Sequence, residues 1–165
     1  MASPLGPIRV ATRRGAVVAL AWGDLPLSPP ATEGSEPGVV AQVARWLGFY
    51  FSGREPPPLP PLDPPGTPFQ CRVWETLRGI PPGETRTYGE LARRLGSSPR
   101  AVGAAAGANP IPLLIPCHRL VAKGGLGGFS GHGGIATKRR LLDFEAGRWG
   151  AGATLSPVDA PPFPP

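Results

Sequence analysis

One thiol stands beside one imidazole in this chain, at Cys117 and His118 of the tetrapeptide Pro116-Cys117-His118-Arg119. A cysteine attacks as its thiolate, and a neighbouring imidazole, a cation and a partly dry pocket together lower its pKa enough to populate that form near neutral pH. A cysteine that follows an apolar stretch such as Leu113-Leu114-Ile115 is commonly nothing more than packing. That bland reading has no use for an adjacent His and Arg, nor for the prolines at 110, 112 and 116 that stiffen the approach to the thiol. Cys117 is therefore read as a nucleophile. The other cysteine, Cys71, falls on a helical stretch near Trp74 and is read as a core thiol. Cys71, Cys117, His118 and His132 are the only Cys and His residues and show neither CxxC nor HxxxH spacing, so neither a disulfide framework nor a metal site is expected.

The charge distribution says what such a thiol would meet. Residues 1 to 65 carry five basic residues (Arg9, Arg13, Arg14, Arg45, Arg54) and five acidic ones (Asp24, Glu33, Glu36, Glu55, Asp63). Residues 66 to 147 carry eleven Lys or Arg against five Asp or Glu, so the net +6 of the chain lies with Cys117. A basic surface around a nucleophile suits a polyanionic substrate, nucleic acid first. The opening MASPLGPIRV lacks the charged and apolar regions of a signal peptide, and no apolar run approaches membrane-spanning length. A reduced cytoplasmic (or nuclear) setting, with no membrane, is expected.

The elements that must position the thiol follow from periodicity and punctuation. Ile8 to Thr12 and Ala16 to Trp22 read as a hairpin around Arg13-Arg14-Gly15. Leu25 to Gly38 reads as loop, and Val39, Val40, Val43, Trp46, Leu47 and Tyr50 then recur at helical spacing up to Ser52-Gly53, with Trp46 and Phe51 taken as core. Residues 55 to 68 hold eight prolines, which favour an extended, semi-rigid linker and place a domain boundary there. Beyond it, Phe69 to Leu77 reads as a helix with Phe69, Val73, Trp74 and Leu77 on one face. Thr87 and Glu90 form a capping box that starts a helix at Tyr88, stopped by Gly96 after Leu95. Ser98 caps a helix whose first position is Pro99 and which runs through Arg100 to Ala108. Helix, tight turn and small-residue helix in a basic half form a helix-turn-helix signal.

The series Gly66-Thr67-Pro68-Phe69-Gln70, Val73-Trp74, Ile80-Pro81-Pro82-Gly83, Tyr88, Arg100-Ala101-Val102-Gly103, Asn109-Pro110, Ile115 to Arg119, Gly128-Phe129-Ser130-Gly131 and Lys138 to Glu145 resembles the O6-alkylguanine-DNA alkyltransferases, also called methylated-DNA-protein-cysteine methyltransferases. The likeness is close over residues 66 to 147. It implies an α+β protein: a small N-terminal α/β domain of ribonuclease H-like fold over residues 1 to 65, then a mainly helical, winged-helix-like DNA-binding domain over residues 66 to 147. A disordered tail, residues 148 to 165, is expected from its Pro- and Ala-rich makeup.

The implied activity is direct reversal of DNA damage without a cofactor. The partner is double-stranded DNA bearing O6-alkylguanine, with O4-alkylthymine as a second candidate substrate, and the protein acts as a monomer. A base inside the stack is out of reach of a thiolate, so the nucleotide must be flipped out, at a cost of a few kcal/mol. The resemblance makes Arg100 the finger that fills the vacated place, and Ala101, Val102, Gly103, Ala104 and Ala105 the helix lying in the minor groove. Tyr88 helps to rotate the nucleotide and donates to the purine. The carbonyls of Cys117 and Leu120 receive the exocyclic amine, the amide of Ser130 faces O6, and Phe129 and Pro112 are apolar walls. Ala106 stands where some members carry a bulkier residue, which implies a wider pocket. Glu145 orients His118, which acts as base toward Cys117 through a water; Asn109 braces the active-site turn, and Arg119 is structural, pairing with an acid. A thioether has no hydrolytic way back, so each molecule acts once. Read from the residues alone, three other classes stay open: a cysteine hydrolase, a helix-turn-helix regulator, and a damage-binding relative without transfer activity.

Overall fold

Arg14 and Gly15 both take positive φ, 51° and 78°, the requirement of a two-residue turn whose twist matches that of the strands it joins. They connect β1 (Ile8–Arg13) to β2 (Ala16–Trp22), paired antiparallel from Ile8 opposite Trp22 to Arg13 opposite Ala16, with an irregularity at Ala11 and Thr12. The computed structural model describes residues 1–24, 26, 27 and 36–148. Most of the expected loop, at residues 25 and 28–35, and nearly all of the expected tail lie outside the described residues. Every residue of β2 is buried. One edge of β2 pairs with β1, and the Pro-rich stretch lies along the other, with Val17 N–H donating to Pro61 O (2.8 Å) and Asp63 N–H to Val17 O (2.9 Å). The linker is extended, and it is also fastened to the sheet.

α1 (Pro37–Phe51) buries Val39, Val43, Trp46, Leu47, Tyr50 and Phe51. α2 (Pro68–Arg78) begins at a capping box between Thr67 and Gln70 and buries Val73, Trp74 and Leu77. Cys71 corrects the sequence reading. It is exposed, because the inward stripe of α2 is filled by those three residues and position 71 falls to one side of it.

A two-residue strand, β3 (Arg86–Thr87), leads into α3 (Tyr88–Leu95), which has the expected Thr87–Glu90 capping box and a left-handed Gly96 at its end (φ 61°). α4 (Pro99–Gly107) follows, capped by the Ser98 side chain. The chain then makes a 3₁₀ turn (Cys117–Arg119), pairs β4 (Leu120–Val121) in parallel with β3, and ends its described part in α5 (Gly134–Arg148). The architecture mixes helices with small sheets. One continuous apolar cluster runs from Leu5 to Phe144 and includes side chains from both sides of the linker. Among the described residues no helix is long and apolar enough to cross a membrane.

Candidate active site

The turn that carries Cys117 is held from behind by its own backbone and by one amide side chain. Pro116 sits at φ −80°, ψ 64°, the inverse γ-turn conformation, and Cys117 N–H donates to Ile115 O (2.8 Å). Asn109 Nδ2 donates to Ile115 O (2.9 Å) while its Oδ1 accepts from Ile111 N–H (3.0 Å). Asn109 thereby ties both ends of the approach loop together, and its side chain favours the charged form of Cys117.

Behind the thiol lies a closed set of polar groups. Glu145 Oε1 accepts from Tyr50 Oη–H (2.6 Å) and from Arg119 Nη2 (2.9 Å), and lies 2.8 Å from His118 Nε2. Its Oε2 accepts from Arg119 Nε (2.9 Å) and from Gly83 N–H (3.2 Å). Burial pushes the Glu145 carboxyl up, but the hydrogen bonds and charges of His118 and Arg119 outweigh it and hold the group well below the usual carboxylate range. An ionised carboxylate only accepts, so His118 Nε2 must donate to it. That fixes the neutral tautomer and leaves Nδ1, buried and without a hydrogen-bond partner, as a lone-pair acceptor. Burial lowers the His118 pKa, against the pull of Glu145, so the ring is neutral near pH 7. Arg119 is structural as expected, and its Nη1 also donates to Ile80 O.

The thiol itself departs from expectation. Burial pushes Cys117 up rather than down, with Asn109 and Lys138 opposing the rise only in part. A neutral imidazole supplies no cation to lower it, so the resting pair is thiol and imidazole, and the thiolate forms when its proton is taken.

Two cavities meet at Cys117. One, of about 330 Å³, is bordered by Tyr88, Gly103, Ala106, Gly128, Phe129 and Ser130. The other, of about 180 Å³, lies between β2 and the loop of Asn109, Pro110 and Pro112. A larger cavity of about 720 Å³ opens on the far side of the turn, against Trp46, Leu114 and Arg119, and does not reach the sulfur. Phe129 stacks on Trp22 (centroids 6.3 Å apart), and the Trp22 indole N–H donates to His132 O (3.2 Å). Ser130 Oγ donates to Gly107 O (3.1 Å). Two glycines are needed here for room: a Cβ on Gly127 would come 2.9 Å from the Tyr88 ring, and one on Gly131 would come 2.5 Å from Phe129.

On α4, Arg100 and Ala104 are exposed while Ala101 and Gly103 are partly so. Val102 and Ala105 are buried, and Ala105 O accepts from the Trp74 indole N–H (2.8 Å). Ala105 thereby ties α4 to α2. Leu120 is a core side chain whose carbonyl accepts from Lys138 Nζ (2.6 Å).

Lys138 was missed by the sequence reading. It is fully buried, donates also to Gly128 O (3.0 Å), and lies 5.9 Å from the Tyr88 ring centre. Its charge is felt by Cys117. Tyr50 was missed as a site residue too. Lys138, Leu141 and Glu145 fall at i, i+3 and i+7, one face of a helix, and that spacing was the available signal for Lys138.

The family profile described as 6-O-methylguanine DNA methyltransferase, DNA binding domain, matches residues 68–147. A methylated-DNA–protein-cysteine methyltransferase of Mycobacterium tuberculosis is 41% identical over 157 residues, covering 93% of this chain and 94% of the relative. The chain belongs to the methylated-DNA–protein-cysteine methyltransferases. Among family members, that of Saccharolobus islandicus is 37% identical over 145 residues, covering 87% of this chain and 91% of its own. The crystal structure of M. tuberculosis OGT in complex with DNA superposes with a TM-score of 0.80 at 38% identity, over 94% of this chain and 93% of that one. The O6-methylguanine DNA methyltransferase of Methanococcus jannaschii gives 0.63 at 30%, over 84% and 87%.

Proposed function

We propose that Cys117 accepts the alkyl group from O6 of a guanine turned out of duplex DNA, in a direct-reversal repair reaction that each molecule performs once. The observation that carries this reading is the neutral His118 with its Nε2–H committed to Glu145 and its Nδ1 free to accept, on the residue next to a thiol that opens into a base-sized cleft. His118 Nδ1 takes the thiol proton through a bridging water. The sulfur attacks the alkyl carbon, the S–C bond forming as the C–O6 bond breaks, and the base leaves as guanine after gaining one proton. Burial, with the nearby Cys117 adding to it, raises the Tyr88 pKa and keeps its phenol neutral, which suits a donor to the departing purine. The net change moves the alkyl group to sulfur and the thiol hydrogen to guanine.

Arg100, Ala101, Gly103 and Ala104 supply the exposed side of α4 for the DNA, with Arg100 as the residue that takes the base's place. Pro112, Phe129, the amide of Ser130 and the carbonyls of Cys117 and Leu120 bound the base and its alkyl group. The DNA complex of the M. tuberculosis relative supports DNA as partner. The β1–β2 hairpin with α1 supports a ribonuclease H-like first domain, and α3, α4 and the β3–β4 pair support a winged-helix-like second one. A monomer in the cytoplasm fits this reading. Incubation with an O6-methylguanine duplex, followed by intact and peptide mass, tests it. A gain of one CH₂ on the peptide holding Cys117, absent from Cys117→Ala, is expected; binding without mass gain, or continuing release of methanol, would overturn it.

A further inference from the structure

Tyr50 lies at the end of α1, on the N-terminal side of the Pro-rich linker, yet its hydroxyl reaches the Glu145 carboxylate 95 positions away at 2.6 Å. Its ring cannot swing. Trp46 stacks on it (5.2 Å between centroids, 12° between planes), and Phe51 and Phe144 meet it edge-on at 5.1 and 5.7 Å. The hydroxyl is thus aimed at one oxygen, the same Oε1 that serves His118 Nε2.

We infer that Tyr50 is a positioning residue for alkyl transfer, setting both the place of Glu145 and how strongly that carboxylate holds the His118 N–H. This rests on the reading of His118 as the base for Cys117. Three donors share Oε1: Tyr50, His118 and Arg119. Each hydrogen bond to a carboxylate stabilises its charge, and donors that converge on one oxygen divide its electron density between them. The phenol therefore takes part of the carboxylate's charge away from the imidazole and keeps His118 from becoming too basic. The remaining groups that bear on His118 are Arg119, from the turn, and Lys138, from α5, both of which also disfavour imidazolium. Tyr50 remains a phenol throughout, because burial and then the Glu145 charge raise its pKa well above the ordinary value.

Two substitutions move the hydrogen bond in opposite directions while keeping the ring. Tyr50→Phe removes it, and 3-fluorotyrosine at position 50 strengthens it through a more acidic hydroxyl. His118 is followed by ring ¹⁵N NMR against pH, in a chain with only two histidines, and alkylation is followed as the rate of mass gain on Cys117 against pH. With Tyr50→Phe, the His118 titration and the acid limb of the rate profile are expected to move up by about half to one pH unit. Fluorotyrosine is expected to move both down. A merely structural tyrosine would lower the unfolding midpoint and leave both curves in place, and that result overturns the inference. Should Tyr50→Phe fail to fold, the fluorotyrosine arm decides alone. A shifted ring titration with no mass gain in any version would instead reject the transfer reading, since the NMR readout does not depend on transfer.

Discussion

At the scale of single residues, the decisive property is that a buried carboxylate fixes which nitrogen of a histidine is free. Glu145 makes its contacts with no exposed side-chain surface, and removing its charge leaves Arg119 buried without a counter-ion. Glu145→Gln is expected to cost about 3–5 kcal/mol in urea unfolding and to slow transfer; an unchanged midpoint would contradict the arrangement. Sign and pH window follow from the shifts. The folded pKa of Glu145 is depressed, so its contribution is present above the ordinary carboxylate value of about 4.3 and is lost as pH falls through the folded value. The folded pKa of His118 is also lowered, so the unfolded chain gains that proton first and stability begins to fall below about pH 6.5. Urea midpoints between pH 8 and 3 should begin to decline below about pH 6.5 and steepen below about pH 4.3, the lower portion flattening in Glu145→Gln.

Ala106, buried at the edge of the larger of the two cavities at Cys117, sets the room beside the sulfur. Ala106→Met should leave transfer from O6-methylguanine within about threefold and slow transfer from O6-benzylguanine by about tenfold, a difference of roughly 1.4 kcal/mol in the barrier. Equal slowing of the two adducts would show that this side chain does not face the alkyl group.

At the scale of elements, α3 and α4 are positioned by their caps. Thr87 Oγ1 accepts from Glu90 N–H (3.2 Å) while the Glu90 carboxylate accepts from Thr87 N–H (2.6 Å), and Tyr88 is the next residue. Thr87→Ala is expected to cost about 1 kcal/mol and to reduce DNA binding along with stability, because the cap also sets where Tyr88 begins; calorimetry and a binding titration check the two together. These ends were legible in the sequence because caps are local: Thr87, Glu90, Gly96, Ser98 and Pro99 lie within one or two turns of the helices they bound. α5 was not read as a helix. Its inward positions include Thr137, Lys138 and Glu145, and a core face built partly from polar side chains hides the apolar repeat that sequence reading depends on. Cys71 failed for another reason: a free cysteine is usually buried, and here Val73, Trp74 and Leu77 already occupy the inward face of the helix.

At the scale of the whole molecule, the excess of positive charge in residues 66 to 147 predicts a steep salt dependence. DNA affinity should fall by at least tenfold between about 50 and 200 mM salt if several phosphates are neutralised, and a flat response would count against phosphate contacts as the main source of affinity. Charge balance, punctuation and the Cys117–His118 pair were readable because they depend on residue identity alone. The joining of the two parts of the chain was not. It rests on Leu20 N–H to Pro110 O (2.8 Å), Trp22 to His132, and Tyr50 to Glu145, contacts between residues that no local pattern links.

The span of those contacts also sets a schedule. During synthesis the hairpin and α1 emerge first, with Trp22 and Tyr50 ready and nothing to receive them. Tyr50 waits for Glu145 through 95 further residues, about 5–20 s at usual elongation rates. Trp22 is met first, by Phe129 and His132, whereas Tyr50 meets Phe144 and Glu145 only when α5 arrives, so the buried polar set around Glu145 is completed as the fold closes.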